Sequence, residues 1–465
     1  MTITPTVPDT VTEVSAAPRT ATRLADEDAT YWLMREGLGW TVVLQLLWQV
    51  PGGLDDTVID AFAERLRHGR LHRRLLAPRL RGARPQWVES CEASRAIIDT
   101  DAISDDTIDG WAVDEMDHAD LDAAEGRCWR LRAAPTAGGD TVISLCALHL
   151  VTDGRGLVDS AATALSGLTD PPVEERGARP EPPRSGSLRA DARDALGQLG
   201  AAAAGLGRAI RSARADSADG TPPDPRPPRA PMADRAPQAR PSWATATVPA
   251  DEWDRVAQTH GGTANTLFVA VVAGLLRSSG YAAPGIPVKV GVPVDRRLGA
   301  DDDRANATAG VSVMLSDGPA PGRDLTGLRA LCKDAFVRLS QGRRAPAVHL
   351  QPLIWLLPTR WVVAAATAGS GMPDAVTSNL GDVPEAAMMI GGRRARHLAF
   401  RGIADGVKSA GPHRFGDGVQ SWLVRTGDEV TFSAVAFDEL SFPGDRLHKL
   451  LADQLAAWSL PATIW

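Results

Sequence analysis

The sequence predicts an α/β protein of two halves joined by a long, partly helical crossover. Three observations predict it. From Thr22 to about Thr169, apolar runs alternate with helical patterns. Stretches rich in proline and arginine then interrupt that alternation. A second α/β pattern begins near Trp243 and continues to the C-terminus.

At 465 residues the chain is long enough to bury two sizeable cores. A hydrophobic share of 44% and a charged share of 23% exclude a wholly disordered chain. Residues 1–21 lack the charged start and apolar stretch of a secretory signal and read as a flexible arm, which points to a cytoplasmic protein.

The first half, residues 22–170, places the strand candidates WTVVLQLLWQV and TVISLCALHL beside the helical pattern DTVIDAFAERLRHGRL. Residues 171–241 read as a Pro-rich linker, because DPPVEERGARPEPPRSG and DGTPPDPRPPRAPMADRAPQARP cannot form regular core structure. Within it, a crossover helix over 187–215 sets Leu188, Ala192, Leu196, Leu199, Ala203, Leu206, Ile210 and Ala213 at spacings of three and four. That is one apolar stripe. Glycines lower the propensity of this helix, so tertiary packing is expected to hold it. The second half, 242–465, offers the strands ATATVPA, PVKVGVPV, QSWLVRTG and EVTFSAVAF. Its helices are TANTLFVAVVAGLLRSSG and the closing amphipathic GDRLHKLLADQLAAWSL.

Several functional classes lack their starting residues. A formal charge of -7 gives no electrostatic reason for a nucleic-acid partner. The four cysteines, Cys91, Cys128, Cys146 and Cys332, show no CxxC or Cys/His spacing, so neither a metal site nor a disulfide framework is indicated. G-x-S-x-G, H-E-x-x-H, the Walker P-loop and G-x-G-x-x-G are all missing. Two segments keep more than one reading. Basic Glu64–Arg84 suits a helix with a solvated arginine face, or a docking surface for phosphates, acidic carrier proteins or anionic lipid. Leu353–Gly369 is interrupted by Pro358 and Arg360 and is too short to span a bilayer. It reads as a core helix pair or as a surface touching membrane or lipid.

The chemistry-bearing stretch is ISLCALHLVTDGRG, Ile143–Gly156. Strand alternation puts Ile143, Leu145, Ala147 and His149 on one face and Val142, Ser144, Cys146 and Leu148 on the other. This separates His149 from Cys146 and argues against a nucleophilic pair. A partly shielded histidine at that strand end stays neutral, as a general base must. Asp153 fixes a bend or pairs with a cation, and Gly154 permits close backbone approach or positive φ. The same residues serve equally as an ordinary turn after a buried strand.

HLVTDG resembles the H-x-x-x-D-G signature of the CoA-dependent acyltransferase superfamily. That superfamily includes wax ester synthase/diacylglycerol acyltransferases, mycobacterial polyketide-associated acyltransferases and nonribosomal condensation domains. Its bacterial groups usually carry H-H-x-x-x-D-G, and here Leu148 stands at the first histidine. Further segments resemble the wax ester synthase group in the right order: RLADEDATYWLM, LHRRLLAPRLRGARPQWVE, LDAAEGRCW, GGTANTLFVAVVAGLLR, VPVDRR followed by RANATAG, and VTSNLGDVP.

The resemblance implies two chloramphenicol-acetyltransferase-like halves forming a pseudo-dimer with an active-site tunnel between them. It implies an acyltransferase that takes an acyl group from acyl-CoA, or from the phosphopantetheine of an acyl carrier, to an acceptor hydroxyl. His149 would be the general base, and Asp153 would hold the loop beside Gly154 by pairing with Arg297. Ser378, Asn379 and Gly381 would shape the substrate channel. No tightly bound cofactor and no metal are implied. Peripheral contact with membrane or lipid accompanies the lipid-like reading. Two alternatives stay open: a carrier-protein-dependent condensation enzyme making an amide or ester, and a non-catalytic protein binding an acyl chain or carrier, for which Leu148 leaves room.

Overall fold

The computed structural model describes residues 22–92, 96–169, 187–218, 241–283, 285–299, 302–316, 318–367, 373–406 and 418–465. The expected N-terminal arm and the Pro-rich stretches on either side of the crossover helix lie outside the described residues. Ten long strands carry the fold: β1 Thr41–Val50, β2 Trp129–Pro135, β3 Thr141–Leu148, β4 Ser242–Pro249, β5 Val288–Asp295, β6 Thr308–Leu315, β7 Ala375–Asp382, β8 His397–Asp405, β9 Val419–Thr426 and β10 Glu429–Ala436. Five helices matter for the argument: α1 Asp56–Arg67, α2 Ile108–Asp117, α3 Gly154–Ser166, α4 Leu188–Ala218 and α5 Ala264–Ser278.

The first sheet runs β8-β1-β3-β2, antiparallel throughout, with short Ile97–Ile98 parallel to β2 at the edge. All eight residues of β3 are buried, because both faces of the sheet are covered. One face packs Ile143, Leu145 and Ala147 against Ile59, Phe62 and Leu66 of α1 and Leu157 and Ala161 of α3. On the other, Val142 meets Ile108 and Ala112 of α2, and Cys146 meets Met116. A strand covered on both sides reads as a continuous apolar run. The one polar group drawn into this layer from β1, Gln45, donates 2.8 Å hydrogen bonds to Ser144 Oγ and the Ala112 carbonyl.

The second sheet runs β6-β5-β7-β9-β10-β4, edged by Thr463–Ile464. β7 lies parallel to β5 and β9, and the remaining long neighbours pair antiparallel. Its core is built on α5, whose residues Thr266 to Leu276 are all buried. A helix apolar on every side belongs inside a protein. A capping box between Thr263 and Thr266 satisfies its first turn. Among the described residues no single helix is long and apolar enough to cross a membrane; Ala250–Thr259 and α5 reach that content only together, bent by 85°.

β8 is the fold's crossing strand. It follows β7 in the chain yet pairs with β1 along its whole length, from His397 opposite Gln49 to Asp405 opposite Thr41. Its Arg401, fully buried, donates to Asp109 of α2 and at 2.9 Å to Thr245 of β4. Its guanidinium carbon lies 5.8 Å from the Trp465 ring centre. One buried cation thus joins the two lobes, and a buried cation needs such partners.

One local expectation changes. Glu64–Arg84 is no single helix: α1 stops at Arg67 and a short strand, Arg73–Leu76, follows. Nor does it present one solvated arginine face, since Arg70 donates to the Arg304 carbonyl at 2.8 Å and Arg84 pairs with Asp194 at 2.8 Å. Leu353–Gly369 opens as two short helices, Leu353–Leu356 and Thr359–Thr367, with Trp355 and Val363 buried and Trp361 exposed.

The crossover helix forms as α4, but packing does not cover its apolar stripe. The face turned inward carries Asp191, Gln198, Ala202, Gly205 and Ala209, while Leu196, Leu199, Leu206 and Ile210 stay exposed. Small residues win because the helix lies close on Pro346–Leu350: a Cβ at Gly205 would collide with the His349 carbonyl. Asp191, held by Arg23 at 2.6 Å, fixes its first turn. Gly205→Ala should therefore lower the unfolding midpoint, at a cost of about 1–3 kcal/mol for the forced contact. At Gly200 a Cβ meets nothing within 4 Å, so Gly200→Ala should stabilise by about 1 kcal/mol. Urea unfolding of both variants checks the opposite signs.

Candidate active site

At the end of β3 the chain turns through His149–Thr152 into α3. Asp153 is the N-cap of that helix, its Oδ1 accepting from Gly156 N at 2.8 Å. The same carboxylate accepts from Arg297 Nη1 at 2.7 and 2.8 Å, from Ala307 N at 2.8 Å and from Thr308 Oγ1 at 3.2 Å. Burial alone would raise its pKa, but the Arg297 charge and these donors outweigh burial and hold the carboxyl below its ordinary value. So saturated, Asp153 has no lone pair to spare for substrate. It organises the loop.

This pairing crosses the lobes. Arg297 follows β5, and the chain from there to β6 is drawn onto the loop after β3, where Asp153 N also donates to the Ala305 carbonyl at 3.1 Å. Asn306 is thereby set against His149, its Oδ1 3.1 Å from His149 Nδ1. Its Nδ2 donates to Asp28 Oδ1 at 2.9 Å and to the His149 carbonyl at 3.0 Å. With the amide nitrogen so engaged, Oδ1 must accept, which assigns the imidazole proton to Nδ1. Nε2 then carries the lone pair.

Tyr31 lies flat against the imidazole, ring centres 3.8 Å apart and planes 17° apart. Burial lowers the pKa of His149, an effect that hydrogen bonds and the Asp153 charge only partly oppose. The ring is neutral at neutral pH. Burial likewise raises the Asp28 carboxyl to about 6. Sequence reasoning did not single out Asn306, Asp28 or Tyr31, although each stands in a quoted segment.

His149 and Asp153 line a cavity of about 390 Å³ between the lobes. Val42, Leu44, Ile403, Trp422 and Phe437 make its wall apolar, while Thr30, Asp295, Thr308, Ser378 and Asn379 add polar groups. Gly402 admits the Trp422 ring, since a Cβ there would lie 2.9 Å from Cζ2. Gly154 is needed for a similar reason: a Cβ would come within 2.6 Å of Leu380 Cδ2. Ser378 and Asn379 sit on β7 where its register shifts. Gly381 adopts φ +70° and donates its N–H to Asn379 Oδ1 at 2.9 Å, which turns Leu380 toward Gly154. Gly381 itself does not line the cavity. Leu148 does not either: it is buried in the first core. Among the described residues no group of three or more His, Cys, Asp or Glu is arranged to hold a metal ion.

Arg297→Ala should cost about 3–5 kcal/mol of stability, because it strands the buried Asp153 carboxylate. As the folded pKa of Asp153 lies below 3.8, the pair's contribution is complete above that pH and fades only as pH falls through the folded value. Chemical denaturation from pH 7 to pH 3 tests both statements; an unchanged midpoint at pH 7 would remove the pair as the anchor.

No family model matches the chain, and neither does any curated protein. Solved structures do. The first condensation domain of the calcium-dependent antibiotic synthetase, in complex with a substrate analogue, aligns at 18% identity and TM-score 0.58, covering 95% of this chain and 96% of that one. The wax ester synthase/diacylglycerol acyltransferase from Marinobacter aquaeolei VT8 aligns at 18% identity and TM-score 0.56, covering 94% and 99%. Polyketide synthase associated protein 5 from Mycobacterium tuberculosis aligns at 14% identity and TM-score 0.52, covering 94% and 97%. At such identities the likeness is one of fold: the chain has the two-lobed, chloramphenicol-acetyltransferase-like α/β architecture of condensation domains over nearly its whole length.

Proposed function

We propose that the protein is an acyltransferase that moves an acyl group from a thioester, acyl-CoA first among donors, to an acceptor hydroxyl. The observation that carries this reading is one side chain: a neutral His149, proton on Nδ1 toward Asn306, lining a cavity between two lobes. The acceptor oxygen bonds to the thioester carbonyl carbon as its proton passes to Nε2. The tetrahedral intermediate then expels the thiolate, which takes that proton back from the imidazolium, leaving an ester and a free thiol. No acyl-enzyme is required, because holding both substrates in one cavity supplies the proximity.

Other residues support the base. Asp153 and Arg297 hold the loop, Gly154 lets Leu380 close over it, and Asn306 keeps the tautomer. Ser378 and Asn379 shape the channel with the bend that Gly381 allows. The apolar wall favours a lipid-like chain, in keeping with the sequence resemblance to wax ester synthase/diacylglycerol acyltransferases. This chemistry needs no tightly bound cofactor. The likeness to a condensation domain supports a second reading, a donor carried on the phosphopantetheine of a carrier protein and an amine acceptor.

Acyl transfer measured over acyl-CoA and carrier-bound donors, with alcohols and amines as acceptors, separates these readings. His149→Ala should lose about 10²–10⁴-fold in rate. Equal turnover by both proteins would remove His149 from the mechanism, and donor binding without turnover in either would favour the non-catalytic reading. In the wild type, the acid limb of the pH profile should fall below 6.5, because burial holds His149 unprotonated to lower pH than a free imidazole.

A further inference from the structure

The outward side of α4 carries apolar groups that packing leaves exposed. Leu196, Leu199, Leu206 and Ile210 are 69%, 55%, 54% and 46% exposed. Spaced by three, seven and four, with Ala203 filling the middle step, they make one row along the helix. At 1.5 Å per residue the row is about 21 Å long. No polar side chain interrupts it between Leu196 and Ile210; Ala192 continues the line at one end, and Arg214 closes it at the other.

Charge is sorted just as sharply. Over Leu188–Arg214 the two acidic residues turn inward, Asp191 onto Arg23 and Asp194 onto Arg84. The five basic residues, Arg189, Arg193, Arg208, Arg211 and Arg214, are all exposed. At 100° per residue Arg189, Arg193, Arg208 and Arg211 fall beside the leucine row, on the side away from the packed face, and Arg214 stands at its C-terminal end. Over Leu188–Arg214 the helix therefore has three faces: a packed face of small residues, an aliphatic row, and an arginine border with no exposed acidic residue.

We propose that α4 is an interfacial helix that docks the protein on an anionic lipid surface. The aliphatic row enters the acyl boundary, and the guanidinium groups lie at the level of the phosphates, which they bind bidentately. The charge pattern selects this occupant. A second copy lying along the row would bring its arginine border against an identical one, with no exposed acid from Leu188–Arg214 between them. The row is also convex and purely aliphatic, with no interleaved donor or acceptor of the kind that orders a protein partner. Behind the helix, Leu353–Leu356 supplies Trp355, whose ring lies 4.9 Å from Trp32, the neighbour of Tyr31 over His149. The lipid contact would stand two packed layers from the cavity. Nothing in this proposal depends on acyl transfer.

The test is flotation of the full chain with vesicles of phosphatidylcholine alone and of phosphatidylcholine mixed with phosphatidylglycerol. Binding is expected to the anionic vesicles and to weaken with salt. Leu199→Glu/Leu206→Glu and Arg208→Glu/Arg211→Glu should each lower the binding constant by about tenfold or more. All four positions are exposed, so circular dichroism and the unfolding midpoint should stay at wild-type values. No flotation with anionic vesicles would overturn the proposal, as would flotation that the leucine variant leaves unchanged. A dimer in sedimentation velocity that the leucine variant dissolves would assign the row to a second copy. Binding to soluble polyglutamate without flotation would assign the face to an acidic protein.

Discussion

The buried ion pair of Asp153 and Arg297 is the constraint from which the site follows. A carboxylate this shielded stays ionised only with a matched cation and a donor for its remaining lone pairs. The cation comes from the chain after β5, and the donors come from the start of α3 and from Ala307 and Thr308. Satisfying one charge therefore pins two lobes together at one point. Asn306 arrives opposite His149 as a consequence, and the imidazole acquires its tautomer from a residue 157 positions away. The geometry around His149 is thus as rigid as the pair that anchors it.

What was legible in the sequence was what the chain encodes locally or repeats as a pattern. β3 announced itself by a continuous apolar run, and His149, Asp153 and Gly154 by their spacing at its end. The ordered segments pointed to Arg297 and to the Ser378–Gly381 bend. Asn306, Asp28 and Tyr31 were not legible as site residues, because each matters only through contacts that tertiary folding creates. α4 shows a different limit. Periodicity reports that a helix is two-faced, but not which face meets the protein; here close approach to Pro346–Leu350 selected the small face and left the leucines outside.

Leu148 illustrates how a motif position changes meaning with its surroundings. The position belongs to the first core, packed with residues of β1 and β3 and away from the cavity. A leucine there adds apolar contact where a histidine would need a partner. The cavity side of the turn keeps one imidazole, and its stack on Tyr31 and bond to Asn306 restrict the ring without help from a second histidine.

The crossing of β8 into the first sheet sets the order in which the molecule is completed during its synthesis. β1 leaves the ribosome early, yet its partner edge is not made until His397–Asp405 has been translated. At roughly 5–20 residues per second, β1 waits tens of seconds with one row of backbone donors and acceptors unpaired. Arg401 and Phe400, which bind the lobes, arrive on the same strand. The nascent first lobe is therefore an unfinished sheet for most of translation, and a chain truncated before β8 would present that open edge to other chains.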